Sequence, residues 1–101
     1  MTKRIANTNA REYTTLRHAF KGSNLAGGWD GDQYIVWSYG WWPLYVHDRN
    51  TERWYRNITK YGCTTSKHAG QSTPTLTPGD AFIELDHECM NSLIRGKHAN
   101  V

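Results

Sequence analysis

A chain of 101 residues, 38% hydrophobic and 13% aromatic, with a net charge of +3, is the size of one domain and has a globular composition, not a disordered one. No stretch approaches the roughly 20 apolar residues of a membrane helix. No apolar run follows Met1-Thr2-Lys3-Arg4, so no secretory leader is expected. Cys63 and Cys89 are the only cysteines, too few for a disulfide framework. The expectation is a soluble protein in a reducing cytosol with both thiols free. Charge is uneven: residues 1–67 sum to +5 and residues 68–101 to −2. A basic, aromatic body of that kind attracts nucleic acid or an acidic protein surface.

Residues 1–10 show no periodicity and read as a flexible arm or a short edge strand. In residues 11–20, Tyr13, Thr14 and Thr15 favour a strand, although Tyr13, Leu16 and Phe20 would also share a helical face. Residues 21–32 hold four glycines and read as a loop, with Asp30-Gly31 as a hairpin turn signal. Residues 33–39 alternate as a strand: Tyr34, Val36 and Ser38 face one way, Gln33, Ile35, Trp37 and Tyr39 the other. Bulk on both faces predicts a central strand covered on both sides. Gly40, Trp41, Trp42 and Pro43 make a turn or bulge, because Pro43 cannot donate to a ladder. Residues 44–47 and 52–56 are the next strands, joined by a turn at residues 48–51. Thr64 or Thr65 caps a short helix through residues 66–71, after a connection anchored by Ile58 and Tyr61. The last element is a helix over residues 77–96. Thr77 is its N-cap, Pro78 its first residue, and Gly96 closes it. Phe82, Leu85, Cys89 and Leu93 form its apolar stripe, with Ile83, Met90 and Ile94 beside them. The whole is an α+β single domain: a small antiparallel sheet, a three-stranded meander with room for a fourth or fifth strand, and one C-terminal helix packed on it.

Catalytic and metal motifs are missing. Ser66 and His68 stand at i and i+2, which do not face each other on a helix. The five histidines and two cysteines lack zinc spacing. Asp30 and Asp32 lack the remaining oxygen ligands of a calcium loop. No catalytic residue, cofactor or metal is expected. The candidate binding surface is Trp41, Trp42, Arg49, Arg53, Arg56, Lys60 and Lys67. Adjacent strand residues point oppositely, so one ring of the Trp41–Trp42 pair can pack inward while the other faces out, and an exposed Trp is a good interface anchor. The cations interleave with Trp54 and Tyr55, the composition of a stacking platform for single-stranded nucleic acid.

One resemblance rests on residues 33–68. The run Tyr34-Ile35-Val36-Trp37-Ser38-Tyr39-Gly40, then Pro43-Leu44, Trp54-Tyr55-Arg56-Asn57, Lys60-Tyr61 and Thr64-Thr65-Ser66-Lys67-His68 resembles a family of small tailed-bacteriophage proteins of unknown function. In that family a strand ending Ser-Tyr-Gly precedes a Pro-containing strand. A Trp-bearing strand then leads to a Thr-Thr-x-Lys-His segment. The resemblance implies a phage source and a compact β-rich core at residues 33–68, and it transfers no active residues. The double Trp and the C-terminal helix depart from the pattern. The functional expectation is therefore a non-enzymatic phage accessory protein, monomer or homodimer. It would act in the host cytoplasm, binding and inhibiting a host protein such as a defence component. The alternative is a small basic nucleic-acid-binding module.

Overall fold

The computed structural model describes residues 3–60 and 62–99, with side chains through Ile94. Tyr61, the expected anchor, and Met1 and Thr2 of the expected arm lie outside the described residues. The fold is α+β, as expected, but larger in both parts: a seven-stranded mixed sheet and three α-helices. In chain order the elements are β1 (Lys3–Arg4), α1 (Ala10–Thr15), β2 (Phe20–Lys21), β3 (Leu25–Asp30), β4 (Gln33–Ser38), β5 (Trp42–Asp48), β6 (Arg53–Asn57), α2 (Cys63–Ser72), β7 (Ile83–Leu85) and α3 (His87–Ala99). Strand order in the sheet follows chain order. The pairs β1–β2 and β6–β7 are parallel and the remainder antiparallel.

The meander β4–β5–β6 stands at the centre, as its alternation predicts. Tyr34 and Val36 join one apolar cluster with Phe20, Trp42, Leu44, Tyr45 and Trp54. Ile35 joins Val46, Met90 and Ile94 in a second cluster on the opposite face. Each fully buried Val or Ile contributes about 1.5–3 kcal/mol, so this one strand supports both halves of the core. The first cluster also takes Ala10 of α1, with Ala69 of α2 packed against it. The second cluster takes α3. Both faces are thus covered by helices, where only the C-terminal helix was expected to pack on the sheet.

Four expectations are corrected. Residues 10–15 form α1 instead of a strand, because Ala10 and Thr14, four apart, both bury on the sheet. Residues 25–30 form β3 instead of a loop. Gly27 serves close packing there: a Cβ at that position would lie 2.5 Å from the Phe20 ring and 2.6 Å from the Tyr34 hydroxyl. Only Gly31, at φ 61, takes the backbone conformation of the turn. α2 begins at Cys63 with Gly62 as N-cap, so Thr64 and Thr65 lie inside the helix instead of capping it.

The C-terminal helix is the fourth. It starts at His87, ten residues after the expected cap, and runs through Gly96. Thr77, Pro78, Gly79 and Asp80 make a turn, with the Asp80 amide donating to the Thr77 carbonyl and Gly79 at φ 94. Pro followed by Gly at the central positions is a turn signature. Ile83, Glu84 and Leu85 then alternate as an edge strand. Asp86 caps α3, its Oδ1 accepting from the Cys89 amide at 2.8 Å. The stripe shifts accordingly: Met90 and Ile94 are buried and Cys89 is exposed.

A bulge in β5 decides the environment of the tryptophans. Val36 pairs with Tyr45, but Trp37 pairs with Pro43, leaving Leu44 as an extra residue. Leu44 and Tyr45 consequently enter the same cluster. The extra residue inverts the alternation beyond it, which returns Trp42 to the core face. Lys3 and Arg4 on β1, and Glu84 on β7, place charge on the two edge strands, which discourages edge-to-edge pairing.

Candidate contact surface

The β4–β5 turn holds Tyr39 and Gly40 in the left-handed region, at φ 58 and 78. Tyr39 is anchored by its amide, which donates to the Asn24 carbonyl at 2.8 Å. A non-glycine residue there carries a backbone cost of order 1–3 kcal/mol, so the turn is held by its surroundings. One support is buried: Ser38 Oγ and His68 Nδ1 hydrogen-bond at 2.8 Å, tying β4 to α2. The Tyr39 ring meets that histidine at a tilt, with centroids 5.6 Å apart.

The adjacent tryptophans separate. Trp42 is 6% exposed and stacks on the His87 ring at 3.8 Å and 8°. Trp41 is 50% exposed and meets Trp42 edge-on at 5.5 Å. Beside Trp41 a groove of about 350 Å³ is lined by Tyr39, Trp41, Gly62, Cys63, Thr64 and Thr65. Thr65 also lines a second groove of about 320 Å³, with Ile58, Lys60 and Ser66 among its walls. Tyr39 at 43% and Ile58 at 53% are exposed with Trp41. Three of the five exposed large hydrophobic side chains among the described residues therefore border the first turn of α2. That turn has an extended glycine as N-cap, no side-chain cap among the described residues and no acidic residue.

The expected cations divide. Lys60 lines the second groove, and Lys67 is exposed on α2 three residues after Thr64, on the same helical face. Arg56 is ion-paired with Glu84 and lies over the Phe82 ring at 4.8 Å. Arg49 and Arg53 are at the opposite end of the sheet, around the β5–β6 turn. The Arg49 guanidinium covers the Trp29 ring at 4.3 Å. Thus Trp41 borders the first groove and Lys60 the second, with Lys67 exposed further along α2 and lining neither; Trp42 is removed from the surface by burial, and Arg49 and Arg53 by distance. Tyr39, Ile58 and Thr64 were missed as surface residues. The alternation of residues 33–39 places Tyr39 in the strand, and only the Gly40 that follows it signals the turn.

Ser66 is exposed, while His68 turns inward to Ser38, which is fully buried and out of a substrate's reach. Burial and the neighbouring Lys67 charge hold the His68 imidazole below its ordinary range. Burial raises the Tyr45 phenol, whose hydroxyl donates to the Ala69 carbonyl at 2.8 Å. The hydrogen bond to Asp86 pushes the Cys89 thiol up, so it is the less nucleophilic form. Among the described residues, no group of three or more His, Cys, Asp or Glu side chains could hold a metal ion. No described helix is long and apolar enough to cross a membrane. No family model, curated protein or solved structure matches the chain.

Proposed function

We propose that this protein is a non-enzymatic bacteriophage accessory protein that binds a host protein and inhibits it by covering its surface. The target is a defence component, as for an anti-CRISPR protein, and the site of action is the host cytoplasm. The observation that carries the reading is the cluster of Trp41, Tyr39 and Ile58, exposed beside two grooves. Apolar side chains gathered in this way mark interaction surfaces, and Trp and Tyr dominate the energetics of such contacts. The phage source rests on the sequence resemblance of residues 33–68.

Expression in a bacterial host carrying a defined defence system tests it. The wild-type protein should restore plating of a targeted phage. Trp41→Ala should lose that effect at unchanged thermal stability. No relief against any defence system, with the protein retained on nucleic acid instead, overturns the reading.

The nucleic-acid alternative draws support from the opposite end of the sheet, where Trp29 is 38% exposed beside Arg49. It requires retention that falls steeply with salt and is abolished by Arg53→Glu. Against it, Arg56 is already engaged by Glu84.

A further inference from the structure

The surface around the first turn of α2 has a definite electrostatic character. Between Asp32 and Asp48, and again between Glu52 and Asp80, the sequence contains no acidic residue. Both segments that line the Trp41 groove come from these stretches. The one acidic residue lining the second groove, Glu84, is held by Arg56. From the α3 side, the capping carboxylate Asp86 stays ionised and Glu88 follows it, both next to His87, whose ring meets Trp41 at 6.5 Å; neither acidic side chain lines a groove. The charges added are positive: Lys60 in the second groove, and Lys67 one turn along α2 from Thr64. The first amides of α2 add a partial positive charge in the same direction.

Apolar shape and charge therefore coincide. Resting on the protein-binding reading above, we propose that this surface docks an acidic segment of the partner protein carrying an apolar anchor. The anchor packs against Trp41 and Tyr39, and flanking carboxylates face Lys60 and Lys67. A polypeptide fits better than a nucleic acid. Nucleic-acid grooves track a backbone with many cations and stack bases on rings; here two lysines flank a patch whose far side is the aliphatic Ile58.

The test is a selection from a display library of short random peptides on the intact protein. A fluorophore on Cys63, in a Cys89→Ser background, reports occupancy, because Cys63 lines the groove. Enriched peptides should combine Asp or Glu with Leu, Ile or Phe. Their neutral Asn/Gln counterparts should bind at least about tenfold more weakly, as should the acidic peptides to Trp41→Ala. Lys60→Glu and Lys67→Glu, both at exposed positions, should weaken binding and flatten its salt dependence at unchanged thermal stability. Enrichment of neutral or basic sequences, no enrichment, equal binding to Trp41→Ala, or tighter Trp41-dependent binding of an oligothymidylate probe each overturn the proposal. Relief of host defence that persists after such a result leaves the broader reading standing. Acidic peptides that bind while host defence is unaffected overturn that reading alone.

Discussion

The two ends of the central sheet use the same residue types for opposite purposes. At the end bearing the β3–β4 and β5–β6 turns, Trp29, Tyr34, His47 and Trp54 stand in register across four strands. Their rings meet edge to face: Trp29 with Tyr34 at 5.6 Å, and His47 with Trp54 at 4.9 Å. The loop before β2 ties them down, its His18 carbonyl accepting from the Tyr34 hydroxyl and its Arg17 carbonyl from the Trp29 indole; Tyr34, His47 and Trp54 are buried and Trp29 stays partly exposed. Asn50 donates its side-chain amide to Asp32, linking the two turns. At the other end the turn projects Tyr39 and Trp41 outward, and the neighbouring helix opens a groove instead of closing over them. Aromatic density alone says nothing about function; what distinguishes the two ends is whether a loop or a helix covers the rings.

The largest expected effects come from the packed rings. Trp54→Ala and Trp42→Ala should each cost about 3–5 kcal/mol, read by chemical denaturation, because both are large buried side chains. Trp41→Ala, one residue away from Trp42, should change stability by no more than about 0.5 kcal/mol while removing partner binding. Equal losses from Trp41 and Trp54 would erase the distinction between the two ends.

Gly27→Ala should cost about 1–3 kcal/mol through overpacking against Phe20 and Tyr34. Thermal unfolding measures it; a stabilised variant would mean that the aromatic row is looser than described.

Acid should act on the end that holds His47. His47 is buried, and its Nδ1 has no hydrogen-bond partner among the described residues. Burial, then the Arg17 charge, lowers its pKa from 6.5, against the weaker pull of Glu52 and Asp48. Below that value the unfolded chain binds a proton that the folded chain resists, so stability is full above pH 6.5 and declines as the pH falls beneath it. His68 contributes in the same direction. Unfolding curves across that range should show the slope, and His47→Gln should reduce it. Arg49→Ala should cost about 0.5–1 kcal/mol by the same measurement, for a cation over a partly exposed ring.

The central strand was legible because its alternation is strong and both of its faces are bulky. β3 was not, because glycines read as turn residues unless the rings crossing them are known. The C-terminal helix was displaced because Thr77-Pro78 imitates a helix start, while Gly79 and the short Ile-Glu-Leu alternation carry the competing turn and strand signals. Of the candidate surface, Trp41 and the two lysines were legible as residue types; Tyr39 and Ile58 were not, since their exposure depends on where α2 stops covering the sheet.

By itself, then, the sequence determined an α+β class, a two-faced central meander and an unusual supply of aromatic rings, because periodicity and composition are local properties. Only the tertiary structure decided which rings became core and which became surface. A single extra residue at Leu44 inverts the strand's alternation and turns Trp42 inward. The β4–β5 turn, held by Asn24, leaves Trp41 beside the first turn of α2. Register and coverage arise between segments distant in the chain, so neither is written in the spacing of neighbouring residues.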